Sequence, residues 1–220
     1  MKKLFALTLA LLIGTTLQLQ AQITHTANGA VDQNAEQILK KAADKMGGSS
    51  AVSFTVTMVN KDTNKKEKAR QSADVLFFKN KYRVSAADQV LYCNGTSVWH
   101  WNKSANEVML TTLTSSDDDL MNPSKLLANY KQNYKPKFIR QENDGTAVVD
   151  LTPKKSKSFY KIRLLINGTN GVLKKMEIHN YDGSEADYMV SNFKSGVKTT
   201  ESDFAFQATQ NPKVEVIDMR

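Results

Sequence analysis

One cysteine, Cys93, stands in a chain of 220 residues. An internal disulfide is excluded, as is a cysteine-based metal centre, and stability has to come from burial. The three histidines, His25, His100 and His179, lie far apart. No pair has the spacing of HxH or HExxH. The chain carries no G-x-S-x-G and no phosphate-binding glycine loop. Past the N-terminus there is no second long apolar run, so no spanning helix is expected. No linker or internal repeat divides the sequence.

The N-terminus has its own character. Lys2 and Lys3 precede an apolar run from Leu4 to Ile13, too short for a membrane helix of ~20 residues. Polar residues follow, and Ala21 in "LQAQ" suits the position before a cleavage site. Residues 1–21 therefore read as a secretory signal peptide, and 22–220 as a single exported domain. No cysteine follows the cleavage point, so the chain is not itself lipidated. The two leader lysines contribute to a net charge of +8. The remaining excess fits an anionic surface or partner, or simple solubility. Its lysines are scattered ("KNK", "KPK", "KKSK") without the aromatic interleaving of a nucleic-acid groove.

Periodicity organises the rest. From Asp32 to Met46 the spacing is helical, with Asn34 as the expected cap and Ile38, Ala42 and Met46 on one stripe. The period then falls to two. "AVSFTVTMV", "SADVLFFK", "YRVSA", "QVLYC", "SVWHW" and "EVMLTTL" read as successive strands, with Asn94-Gly95 as a two-residue hairpin turn. "SDDDLMNPSKLLANY" predicts a helix capped by Asn122 with Pro123 at its first position. Five more strands follow, separated by "NDG", "NGTNG" and "YDG" turns. The pattern predicts a mainly β fold: one curved antiparallel sheet with an N-terminal helix and a helical insertion.

The stretch "YCNGTSVWHWN" concentrates unusual residues. Cys93 and His100 face each other across the expected hairpin, but a reactive thiol needs a basic, partly exposed pocket. A small buried cysteine is the simpler reading. Asp117-Asp118-Asp119 lacks a calcium-loop pattern and suits a helix start. The reading is therefore not an enzyme, with no metal and no cofactor. Trp99 and Trp101 share one face of a strand, giving either core packing or a large apolar surface for a ligand. Strand after strand offers an apolar stripe that only two helices are available to cover. Such a curved sheet closes around an interior filled by side chains or by a ligand.

Four stretches carry a resemblance: "NGTSVWHWNKSANEV", "NPSKLLANY", "VVDLTPKKSKSFYKIRLLINGTNGVLKKMEI" and "DFAFQATQNPKVEVID", the last with a Phe-x-Phe strand. In this order the chain resembles the outer-membrane lipoprotein carrier protein (LolA) family. The resemblance implies an incomplete, strongly curved antiparallel half-barrel whose hydrophobic cavity is covered by helices. It implies a soluble, monomeric periplasmic carrier of acylated lipoproteins. Such a carrier is loaded by an inner-membrane releasing complex and emptied onto an outer-membrane acceptor. Family members carry a strand-end arginine that latches the lid, usually followed by proline. In "VLFFKNKYRV" the matching position is Lys79, with Asn80 in place of proline and Arg83 as the rival. Lysine cannot make arginine's two-pronged contact.

The expected cavity lining is Phe54, Val56, Met58, Phe77, Trp99, Trp101 and Leu110, with Leu126, Leu127 and Tyr130 on the lid. A one-residue slip would reverse the face assigned to any strand. Two alternatives stand beside the lipoprotein carrier. One is a carrier of other lipids or acylated molecules, and the other a filled-core interaction or sensor domain.

Overall fold

The computed structural model describes residues 32–47, 50–113 and 123–220. The leader, Asp117-Asp118-Asp119 and Asn122 lie outside the described residues. The chain begins with α1 (Gln33–Gly47), followed by β1 (Ala51–Lys61), β2 (Glu67–Phe78) and β3 (Lys81–Ser85). Next come β4 (Gln89–Cys93), β5 (Ser97–Asn102), β6 (Glu107–Thr112) and α2 (Pro123–Asn133). Then follow β7 (Tyr134–Gln141), β8 (Thr146–Pro153), β9 (Phe159–Asn167), β10 (Leu173–Asn180), β11 (Glu185–Val197) and β12 (Glu215–Asp218). All strands join one 12-stranded sheet in the order β12-β6-β5-β4-β3-β2-β1-β11-β10-β9-β8-β7. The sheet is curved and open, with β12 and β7 at its two edges. Neighbours are antiparallel except β12, which runs parallel to β6.

This order dictates what covers the sheet. β6 and β7 are joined in sequence through α2 yet stand ten strand spacings apart, about 48 Å if the sheet were flat. The described part of that connection, α2, lies on one face of the curled sheet, with Leu126, Leu127 and Tyr130 in its core cluster. The return from β11 to β12 makes a crossing of its own. Two connections thus supply two covers.

α1 lies on the inner face. Ala35, Leu39, Ala42 and Met46 form its buried stripe, and they join Leu126, Leu127 and Tyr130 of α2 in one core cluster with Val52, Phe54 and Phe77. From the opposite half of the sheet Val149, Leu151, Ile162, Leu164 and Met176 complete it. The α1 cap is Asp32, not Asn34. Its Oδ1 accepts the Ala35 amide at 3.0 Å. Its Oδ2 accepts the Phe138 amide at 2.7 Å, beside the bulge between Phe138 and Arg140 in edge strand β7. One carboxylate therefore caps a helix and satisfies an edge-strand donor. Asp32→Ala is expected to cost about 2 kcal/mol in denaturant unfolding, whereas Asn34→Ala should be near neutral.

Two other local expectations change. The β4–β5 turn falls one residue later than expected, with the Asn94 amide donating to the Ser97 carbonyl at 3.2 Å around Gly95-Thr96. Cys93 pairs with Val98, and Asn94 Oδ1 accepts the Thr96 and Ser97 amides at 3.0 and 2.9 Å, an Asx turn within the loop. Gly95 there has φ +96°, and a Cβ on it would sit 2.4 Å from Asn80 Nδ2 on the neighbouring hairpin. In the tail, the expected Phe-x-Phe strand is instead a 3₁₀ turn, Glu201–Phe204, with Phe206 extended beyond it.

Candidate functional site

Register assigns each side chain to a face, because directly paired residues point the same way. On the inner face Phe54 pairs with Val75, and Val52 with Phe77. The line continues through Val75–Val84, Val84–Leu91, Leu91–His100 and His100–Met109. On the outer face Arg83 pairs with Tyr92, Tyr92 with Trp99 and Trp99 with Leu110. Trp101 pairs with Val90 and Val108 on the same side.

The two halves of the sheet are therefore covered oppositely. Over β7–β11 and β1 the helices seal the inner face, while the outer face carries ion pairs. Lys61 and Lys175 meet Asp187 at 2.6 and 2.9 Å, Lys175 meets Glu177 at 2.8 Å, and Arg163 meets Asp150 at 2.7 Å. Over β3–β6 the outer face is covered by the tail. Phe206 packs edge-on against Trp101 and Tyr92, with ring centroids 5.4 and 6.4 Å apart, and Phe204 is fully buried. Lys81 bonds Glu201 at 2.6 Å and Arg83 lies 3.6 Å from Asp203, fixing the 3₁₀ turn over β3.

Among the described residues, that leaves the inner face of β2–β6 without a helix of its own. Val75, Val84, Leu91 and Val98 are half-buried there, as is Met58 on neighbouring β1, and Met109 is 43% exposed at the far side. Val75, Val84, Leu91 and Val98 form an apolar floor, and exposed His100 stands between Leu91 and Met109 at its far side. The floor joins the helix-covered core through Val56, Val75 and Tyr82, which pack against that core. A contiguous apolar surface of this kind marks a binding site more often than a free surface.

The residues singled out from sequence divide accordingly. Phe54 and Phe77 are buried in the helix-covered core, and Val56 and Met58 lie at its border with the floor. Trp99, Trp101 and Leu110 do not share a face with them; they pack outward, under the tail. Leu126, Leu127 and Tyr130 are 1%, 1% and 4% exposed and belong to the core cluster. A shallow groove of about 310 Å³ runs between the helices, lined by Glu36, Lys40, Ala43, Leu127 and Tyr130. Lys131 spans it to Glu36 at 2.7 Å. Arg83 points outward to Asp203. Lys79 sits in the β2–β3 turn at φ 58° with its ammonium 5.1 Å from the Phe78 ring centroid.

Sequence reasoning missed Val84, Leu91 and Val98. β4 and β6 are apolar on both faces, so alternation there does not tell floor from tail contact. Cys93 is fully buried, and burial pushes its thiol up from the usual range. Tyr82, hydrogen-bonded to it, is pushed up to about 12, chiefly by burial. Such a thiol is a poor nucleophile. Among the described residues no group of three or more potential metal ligands occurs, and no helix is long and apolar enough to cross a membrane.

A single open sheet with helices on its inner face defines the half-barrel class. Within it, the sequence profile of the outer membrane lipoprotein carrier protein LolA matches residues 83–207, more than half of the chain. The protein belongs to the LolA family, a family of carrier and binding proteins. An uncharacterized conserved protein from Thermus thermophilus is similar in structure, with a TM-score of 0.58 and 14% identity over 84% of this chain and 99% of that one. LolA superfamily protein NE2245 from Nitrosomonas europaea gives a TM-score of 0.43 at 17% identity, over 78% and 97% of the two chains. Pseudomonas aeruginosa MucB, in its complex with MucA, gives 0.44 at 14% identity, with 84% of this chain covering 63% of the larger MucB. No curated protein matches the chain in sequence.

Proposed function

We propose that this protein is a periplasmic carrier that holds the acyl chains of lipoproteins and moves them from the inner to the outer membrane. The observation that carries the proposal is the half-buried apolar floor of β2–β6, continuous with a core closed by α1 and α2. Each methylene withdrawn from water contributes about 0.8 kcal/mol, so one chain of ~16 carbons amounts to roughly 12 kcal/mol. A carrier has to hide that surface and still release it, which suits a floor that is open and incompletely lined. Leu126, Leu127 and Tyr130 are the lid: swinging α2 from α1 would join the sealed core to the floor. Phe54, Val56, Met58 and Phe77 would then line one trough with Val84 and Leu91.

In this reading residues 1–21 are a cleaved leader and 22–220 the exported carrier, a monomer acting without cofactor or covalent chemistry. It is loaded by an inner-membrane releasing complex and unloaded by an outer-membrane acceptor. Native mass spectrometry of protein purified from the periplasm tests it. Adducts with lipopeptide masses are expected. Free-lipid masses would make it a carrier of other lipids. Bare protein that also fails to bind an acyl-displaceable dye would make it a filled-core interaction domain.

A further inference from the structure

The lysines that look dispersed in sequence are partly gathered by the fold. One end of the sheet brings together the start of β7, the β8–β9 turn (residues 154–158) and the β10–β11 turn (residues 181–184). Lys154 is engaged with the end of α2: its amide donates to the Asn133 carbonyl at 2.8 Å and its ammonium to the Lys131 carbonyl. Lys135, Lys155 and Lys157 are exposed and make no ion pair among the described residues. Nearby carboxylates are already engaged. Asp150 pairs with Arg163, Glu185 with Lys65, and Asp62 with Lys68, while Asp182 accepts the amide and hydroxyl of Ser184. The bonds to Ser184 leave the negative charge of Asp182 in place, but three lysines without ion pairs outnumber it and the corner keeps a net positive charge.

A second observation coincides with it. Tyr160 and Tyr181 are 43% and 73% exposed, with ring centroids 5.6 Å apart. The Tyr181 amide donates to the Ser158 carbonyl at 3.4 Å, which places this pair against the lysine turn. Lys161 stands 5.8 Å from the Tyr160 ring centroid. Packing inside the protein does not account for two such open rings. Tyrosines at a rim of unpaired lysines are the combination that sits at lipid headgroup level: the rings enter the interface and the ammonium groups meet phosphate.

We propose that this corner, formed by Lys135, Lys155, Lys157, Tyr160 and Tyr181, docks the protein reversibly on an anionic bilayer surface. The inference rests on the carrier reading, because it says where a carrier of acyl chains would touch the membrane that supplies or receives them. Charge complementarity selects an anionic surface, and the exposed ring pair selects a bilayer rather than an acidic protein. The attraction is short-ranged and falls within a Debye length, about 8 Å at physiological salt.

The experiment is flotation of cargo-free protein, purified from the periplasm, with phosphatidylglycerol/phosphatidylethanolamine vesicles and with phosphatidylcholine vesicles. Binding to the anionic vesicles is expected, weakening as salt rises. Replacing Lys135, Lys155 and Lys157 together by glutamate should weaken it about 100-fold or more. Tyr160→Ser with Tyr181→Ser should weaken it roughly ten-fold. The same charge change at Lys194, Lys198 and Lys213, away from the corner, is expected to have little effect. Equal loss in both lysine triples would overturn the proposal, as would retention in the corner triple. So would capture of an acidic protein without vesicle flotation. Acyl-displaceable dye binding, measured on the same samples, separates the two readings. Dye binding without flotation removes the docking surface alone, and flotation without dye binding removes the carrier alone.

Discussion

Asp187→Ala is expected to destabilise the protein by about 3 kcal/mol or more. Asp187 is 4% exposed on the outer face and holds two ammonium groups, Lys61 at 2.6 Å and Lys175 at 2.9 Å. It lies opposite Val59 of β1 and Glu177 of β10, so it ties three neighbouring strands. Removing it leaves the part-buried Lys61 ammonium without this counter-ion, beside Lys175, which keeps only Glu177 at 2.8 Å. Both lysines reach solvent, with about a quarter of each side chain exposed, which holds the loss near the lower end of the range for a broken buried pair. Burial by itself would raise the Asp187 pKa, but the hydrogen bonds and charges of Lys61 and Lys175 outweigh it, and the net shift is downward. A carboxyl lowered in the folded state stabilises fully above its unfolded pKa of about 3.9 and loses that contribution as pH falls through the folded value. Urea unfolding should therefore show the wild-type advantage undiminished at pH 7 and shrinking below about pH 4. A variant as stable as wild type at pH 7 would show that the outer ion network is mere surface decoration.

The large features were legible because they rest on periodicity. β1 alternates from Val52 to Thr57, since Val52, Phe54 and Val56 meet the helix-covered core and Ser53, Thr55 and Thr57 point the other way. α1 has a single apolar stripe, and Pro123 marks the first residue of α2. Legibility failed where the sheet changes which face is covered. Val90, Tyr92, Trp99, Trp101, Val108 and Leu110 are apolar because Phe204 and Phe206 return over them from more than ninety residues away in sequence. No window of local sequence contains that information. The same limit applies to Asp32. It stands two residues before the expected cap, and its second partner, the Phe138 amide, comes from a distant strand. Arg83 illustrates a further case. Its partner Asp203 lies in the tail, so a residue that family resemblance places at a lid is seen holding the opposite cover.

That division of faces has a sharp consequence for cargo binding. Leu91→Asp is expected to weaken binding of an acyl-chain dye by at least about 100-fold, since an alkyl chain laid on the floor would desolvate the carboxylate at a cost of several kcal/mol. Without cargo the same carboxylate remains on an open, half-buried surface, so stability should change little. Trp101→Ala should behave in reverse. Its indole packs on Phe206 at 5.4 Å, and its loss is expected to cost about 3 kcal/mol, seen as a fall in Tm of roughly 6–12 °C, with dye affinity unchanged. Trp101→Phe should be milder than Trp101→Ala, because it keeps a ring against Phe206 and removes an indole nitrogen that is buried without a hydrogen-bond partner. Dye titration and thermal unfolding of the three variants decide the matter. If Trp101→Ala abolished dye binding while Leu91→Asp left it intact, cargo would lie under the tail, and the floor of β2–β6 would lose its claim to be the site. Leu91 and Trp101 stand on neighbouring strands, one residue out of register and on opposite faces of the same sheet, so this pair tests the site at the finest grain the fold permits.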